Sequence, residues 1–389
     1  RLLATATEEQ LRWTAPNGAS LLGIACKEGH DDVAMVLLEV LPYDTIAARM
    51  RGGWTAVHLA CLHGLRNTAL SLIETLSVED LVLSQGIAAA CVAGGVREIV
   101  DAFPLEHLLQ HPRKKRDSAF RDAVLGGSPL VSAIVERLPL DFDWSTIYGI
   151  FSLACGKDSP ATIRAIVERA PRDILLHASA FGSMPIHAAV SSVYRGTEIV
   201  EMLVEAMTAE ELSIPSKGGW TALHKSRYGK FVPLLRKLPR KALRARTDAE
   251  QTPLHSLCCR ATGEERREED GLRMLIELLD DEDLYAVDCS QRSPLHSRVL
   301  VTCPDFVLAL LPRVPDHALA MQDSSGRTPL HCFMMRCDET EDRRVLVALL
   351  SRMTPAVVAL PDENGKTASE YCGGPDLAYF TRAPKGAMP

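Results

Sequence analysis

The sequence predicts an all-α solenoid of stacked helical repeats, with short β-hairpin-like turns along one edge. Three observations carry this. A phrase of Thr or Ser, often Pro, an aliphatic residue and His returns six times, with its histidines at His58, His187, His224, His255, His296 and His331. These stand 129, 37, 31, 41 and 35 positions apart, and the first gap is close to four units of about 32. A period in the low thirties marks a repeat stack, in which each unit touches only its neighbours. Aromatic residues make up only 5%, which suits close helix packing, while 47% hydrophobic content suffices for a continuous apolar seam.

Each unit begins with a turn, best seen in Asp323-Ser324-Ser325-Gly326-Arg327 and Asp362-Glu363-Asn364-Gly365-Lys366. Gly accepts a positive φ there, and the Asp carboxylate can bond the turn backbone. Thr328 then caps a short helix that opens on Pro329 and turns Leu330 and His331 inward. A brief loop follows, as at Gly29-His30 and Gly64. The second helix is aliphatic and one-sided, as in Val33–Leu38, Ile199–Val204 and Val345–Leu350. Pro42, Pro139, Pro239 and Pro315 then stop it.

This arrangement resembles the ankyrin repeat family. The resemblance rests on the Thr-Pro-Leu-His phrases, on Ala-Cys and Gly-His pieces such as Ala25-Cys26-Lys27-Glu28-Gly29-His30, and on the aliphatic second helices. It covers residues 17–372, some ten or eleven units of about 33 residues. Residues 1–16 read as a leader or cap, and the Gly- and Pro-rich 373–389 as a loose tail. The pattern is degenerate between 84 and 171, where Ala88-Ala89-Ala90-Cys91 replaces one motif and Arg121 and Ser152 stand where His is expected. The last unit puts Glu370 at the His position, as suits a repeat with water on one side.

The histidines are expected to be structural. Successive units lie about 10 Å apart, too far for two imidazoles to share one metal ion. Each His instead bonds backbone and Thr groups between adjacent turns. A Cys–His nucleophile, such as Cys332 beside His331 or Cys258 and Cys259 after His255, is disfavoured because adjacent helical residues point apart. No phosphate-binding loop, HExxH, kinase phrase set or EF-hand loop occurs, so no enzyme activity and no cofactor are expected. Of 11 cysteines, Cys26, Cys61, Cys91 and Cys155 share one repeat position and Cys258 and Cys332 lie near it. They read as small buried hydrophobes in a reducing compartment.

A net charge of −7 gives no footprint for nucleic acid. No apolar run is long enough to span a membrane. A cytoplasmic, monomeric protein is expected, with His111-Pro112-Arg113-Lys114-Lys115-Arg116 as a solvated inter-repeat loop or a nuclear address. The charged insertion Arg260–Asp270 reads as a solvated loop or a recognition arm, and Asp338–Asp342 is a second acidic loop at the matching place after His331.

The informative row is the residue just before each helix cap: Ala19, Trp54, Ser183, Trp220, Gln251, Arg292, Arg327 and Lys366. These sit at predicted turn tips, and Trp and Arg are enriched at interface hot spots. Trp54, Trp220, Arg292, Arg327 and Lys366 are therefore the candidate partner-binding residues, with the cationic tips suited to an acidic segment. The resemblance implies protein–protein interaction through the concave face and turn tips. The alternative is a regulatory or targeting segment of a larger enzyme, which the start at Arg1 without Met or signal sequence favours.

Overall fold

The computed structural model describes residues 7–51, 54–77, 131–157, 159–264, 266–337 and 342–371, with single positions 80, 105, 120 and 124. The basic run at 111–116, the unit at 84–104, most of the second acidic loop and the tail from 372 lie outside them. The chain divides into two compact units, Arg1–Ile174 and Leu175–Pro389.

Both units stack pairs of helices, as the period predicts. In the first unit the inner helices Leu21–Lys27 and Ala56–Leu62 pair with the outer helices Asp31–Val40 and Arg66–Thr75. Farther along, Tyr148–Cys155 pairs with Pro160–Arg169. In the second unit the inner helices are Pro185–Ser191, Ala222–Lys225, Pro253–Arg260 and Pro329–Met334, and Pro294–His296 is a single 3-10 turn. The outer helices include Glu198–Ala206, Val232–Lys237, Arg266–Leu278, Pro304–Leu310 and Arg344–Arg352. No extended strand forms among the described residues; the turns contribute only the isolated bridges Thr14–Ser20, Ser216–Trp220 and Pro361–Thr367.

The core is the seam between inner and outer helices. Leu22, Leu72, Phe151, Leu203, Leu223, Leu234, Leu275, Phe306, Phe333 and Leu349 are completely buried. Cys26, Cys61, Cys155, Cys258 and Cys332 are buried among them as free thiols, as their recurrence suggests. Burial pushes the Cys26 thiol up to about 12, which keeps it neutral and unreactive. The outer helices are less uniformly apolar-in than their sequence implies. In Asp31–Val40 only Ala34 and Leu37 are buried, while Val33, Val36 and Val40 face outward.

The proline that ends an outer helix also starts something. Pro42, Pro239 and Pro315 each precede one further helical turn: Tyr43–Ile46, Arg240–Leu243 and Asp316–Leu319. Proline fixes φ near the helical value and lacks the N–H that the helix start would leave unpaired. A second recurring device closes the outer helices. Arg169, Lys237, Arg313 and Arg352 each donate to carbonyls at the end of the preceding repeat's outer layer. Examples are Lys237 Nζ to Val204 O at 2.6 Å, Arg313 Nη2 to Leu279 O at 2.8 Å and Arg352 Nη2 to Val314 O at 2.7 Å. A cation there satisfies orphan carbonyls and opposes the negative helix end.

The first charged insertion differs from the expected solvated loop. Arg266–Leu278 is one continuous helix beginning inside it. Glu268 is buried, and its carboxylate accepts from Thr262 N (2.9 Å), Thr262 Oγ1 (3.2 Å) and Gly263 N (3.3 Å). Glu269 accepts from Phe306 N at 2.6 Å, and Arg267 donates to Thr197 Oγ1 at 2.8 Å. The charges are used to fasten the segment to neighbouring repeats.

Candidate functional site

The turn tips are built from backbone outward. In each turn of the second unit the first residue donates its N–H to the carbonyl of the tip residue. The pairs are Ser179 to Ser183 (3.0 Å), Ser216 to Trp220 (2.8 Å), Thr247 to Gln251 (3.0 Å), Asp288 to Arg292 (3.0 Å), Asp323 to Arg327 (2.8 Å) and Asp362 to Lys366 (2.8 Å). Except at Ser216, whose Oγ donates to the Trp220 carbonyl at 2.9 Å, the side chain of that first residue reaches back to the tip N–H. Asp288, Asp323 and Asp362 accept it at 3.0, 2.9 and 3.0 Å, and Thr247 Oγ1 does the same for Gln251 at 3.2 Å. Burial raises the Asp288 carboxyl, but the bonds from Arg292, Gln251 and Ser290 outweigh it and hold the group below the usual range.

Consecutive turns are also tied to one another. Asp248 N donates to Gly218 O (3.0 Å), Cys289 N to Ala249 O (3.1 Å), Ser324 N to Ser290 O (2.9 Å) and Glu363 N to Ser325 O (2.9 Å). In the first unit Arg51 N donates to Asn17 O at 3.0 Å in the same way. In the second unit the residue before each tip takes a positive φ, which Gly219, Gly326 and Gly365 supply without strain; Glu250 and Gln291 hold it at 58° without that freedom.

The histidines join this edge to the core. In each described motif of the second unit, Nδ1 accepts the backbone N–H of the capping residue, from Thr252 to His255 at 3.2 Å for example. The ring proton therefore lies on Nε2. It donates to the next tip carbonyl: His224 to Gln251 (3.0 Å), His255 to Arg292 (2.9 Å), His296 to Arg327 (3.0 Å) and His331 to Lys366 (3.2 Å). His187 Nε2 faces the Trp220 carbonyl but makes no hydrogen bond of normal geometry. Burial pushes His187 and His224 down to about 4, and it lowers His255 and His296 too. All are neutral near pH 7. Glu370 reproduces the Nδ1 role, accepting from Thr367 N at 2.6 Å and Thr367 Oγ1 at 2.9 Å. Among the described residues no group of His, Cys, Asp and Glu is placed to hold a metal ion.

The five candidate side chains are held to different degrees. Trp54 is 43% exposed, its ring centroid 5.5 Å from that of His58. Trp220 is half-buried; its indole meets His224 edge-on at 6.0 Å and carries the Arg260 guanidinium at 5.4 Å. Arg292 grips Asp288 through Nε (3.1 Å) and Nη2 (2.9 Å). Lys366 Nζ lies 5.3 Å from the Tyr371 ring centre. Arg327 is half-buried, with its Nε buried and unbonded. These residues share one edge through the backbone ladder within each unit.

Two features escaped the sequence reading. Phe181, at the tip of the turn joining Ser179 to Ser183, is 71% exposed. Its only sequence signal is an aromatic residue next to a turn glycine. The second is an open pocket of about 390 Å³ lined by Cys259, Arg292, His296, Ser297, Arg298 and Arg336. Its residues stand at different offsets from their motif histidines, so no register of the sequence lines them up.

No family model matches the chain. No curated protein matches it either. Among solved structures it is similar to the ankyrin repeat domain of Bcl-3, titled a unique member of the IkappaB protein family. That match has 20% identity, 60% of this chain and 97% of that chain covered, and a TM-score of 0.41. It is also similar to the human ASB11 ankyrin repeat domain, at 17% identity, 57% and 99% coverage and a TM-score of 0.37.

Proposed function

We propose that this chain is a non-catalytic scaffold that binds another protein through its turn tips and the adjoining inner-helix face. One observation carries the reading. At Gln251, Arg292, Arg327 and Lys366 the fold holds the tip residue by both its N–H and its carbonyl, which fixes the point from which its side chain starts. The position carries different side chains, from Trp54 to Gln251 to Arg327, on a pre-ordered edge. A pre-ordered surface loses little conformational entropy on binding. Trp54, Trp220, Arg292, Arg327 and Lys366 are the proposed contacts, and the cations among them favour an acidic segment. No described helix is long and apolar enough to cross a membrane. The buried free thiols suit a reducing compartment and support a cytoplasmic location.

The test is partner capture by the chain and by Trp54→Ala/Trp220→Ala, with thermal melting to confirm that the variant folds. Loss of the captured protein by a folded variant is the expected result. Equal capture by the variant sinks the tip assignment, and absence of any saturable protein partner for the unaltered chain sinks the scaffold reading.

A further inference from the structure

We infer that the pocket between the inner helices of the second unit receives carboxylate side chains from an acidic segment of a partner protein. The inference rests on the scaffold reading above and adds the chemistry of one binding position. The pocket's lining contains Arg292, Arg298 and Arg336 and no acid, on a chain whose formal net charge is −7. A local excess of cations against that background marks a place where an anion is favoured.

The arginines are not equivalent. Arg292 is fixed by its grip on Asp288, whose side chain is 1% exposed, so it acts as a positioned wall. Arg336 donates one Nη1 bond to Cys332 O at 3.1 Å, which anchors the guanidinium and leaves its other edge for a ligand. Burial raises the Cys259 thiol in the wall, and the charges of Arg292, Arg260 and Arg336 oppose that rise without overcoming it. Guanidinium pairs with carboxylate in a planar, two-bond geometry, which a carboxylate side chain of an extended acidic segment can offer. The volume, about 390 Å³, lies at the small end of ligand pockets and suits one or two side chains. His296 adds nothing, since its Nε2 is already committed to the Met321 and Arg327 carbonyls.

The experiment measures fluorescence anisotropy of a labelled oligoglutamate titrated with the full chain, beside an oligoglutamine of the same length. Oligoglutamate should bind, oligoglutamine should not, and affinity should fall steeply as salt shortens the screening length from roughly 8 Å at 0.15 M to 3 Å at 1 M. Arg336→Gln and Arg298→Gln should each weaken binding about tenfold, close to 1.4 kcal/mol. Arg236→Gln, which removes an equal charge from the exposed side of the outer helix Val232–Lys237, should leave it unchanged. Unchanged melting of the arginine variants excludes misfolding, and Arg336→Lys should retain part of the affinity. Equal weakening by Arg236→Gln would overturn the pocket in favour of diffuse charge. An oligouridylate that binds more tightly, with the same dependence on Arg336, would overturn the acidic-protein assignment in favour of phosphate. If oligoglutamate fails to bind while a partner is still captured through Trp54 and Trp220, the pocket assignment falls and the scaffold reading stands.

Discussion

Replacing His255 with Ala tests the claim that the motif histidines are ties between turns. The ring is buried and makes contacts at both nitrogens: Nδ1 with Thr252 N (3.2 Å) and Thr252 Oγ1 (2.7 Å), Nε2 with Arg292 O (2.9 Å). Arg292 O keeps its bond from Asp288 N after the substitution, so the Nε2 loss is one ordinary hydrogen bond, about 1 kcal/mol. Thr252 N has no other acceptor in its cap, and an orphaned buried donor costs about 1–3 kcal/mol. The loss totals roughly 2–4 kcal/mol before any cavity term. His187→Ala is the internal control. It orphans Met184 N in the same way, but it also removes an Nε2 that is buried and unbonded already. Its cost should be lower by about 1 kcal/mol or more. Urea unfolding followed by circular dichroism gives the comparison. Hydrogen exchange at residues 247–260 and 288–296 locates the loss if the array does not unfold in one step. If His187→Ala proves as costly as His255→Ala, or if His255→Ala leaves the midpoint unmoved, the inter-turn tie is not what the histidines contribute.

Two further predictions follow from the same edge. Gln291 holds φ at 58°, so Gln291→Gly should raise stability by about 0.5–1 kcal/mol, the αL strain relieved exceeding the entropy lost. Gly326→Ala should lower it by about 2 kcal/mol or more, because a Cβ there would stand 2.9 Å from Glu363 N; thermal melting of both variants decides, and opposite signs are required. The pH dependence has a definite direction. His187 and His224 titrate at about 4 when folded, below the unfolded value near 6.5, so the unfolded chain takes up the proton first. Their stabilisation is complete above about pH 6.5 and drains away as pH falls toward 4, by up to about 3 kcal/mol for each group. Urea midpoints at pH 7.5 and 5 measure it; a midpoint that does not fall at pH 5 would refute the neutral-tie reading, and His224→Gln should flatten the profile.

What the sequence made legible is what side chains do for the fold. Thr, Pro and His at fixed spacing cap a helix, open it and tie it to the next turn, and each step needs that residue type. The final repeat shows the limit of the pattern: Glu370 performs the Nδ1 role of His, accepting from Thr367, although it breaks the motif. The charged insertion misled for a related reason. Glu268 and Glu269 look solvated in a run of charges, yet one closes on Thr262 and Gly263 and the other on Phe306 N. Charge density in sequence does not distinguish a carboxylate in water from one that satisfies buried backbone donors. The arginine pocket was illegible because Pro294–His296 is a single 3-10 turn where its neighbours have longer helices. Arg298, two residues after His296, thus lines the same space as Arg336, five residues after His331.

Backbone and side chain divide the work at the tips: the amide and carbonyl hold the residue, and the side chain differs from turn to turn. The carbonyl of Arg292 accepts from Asp288 N and from His255, and its N–H goes to Asp288. The guanidinium adds two bonds to the same Asp288 carboxylate. The same network holds Gln251, Arg327 and Lys366 at successive steps. A fold that anchors a residue by its amide and carbonyl presents different side chains from the same place. On the proposed reading these side chains carry the binding specificity, beside a pocket lined by arginines. Arg292 belongs to both, since it is a tip residue and a wall of the pocket. A ligand that engages it is held by a side chain whose position the turn has already fixed through Asp288.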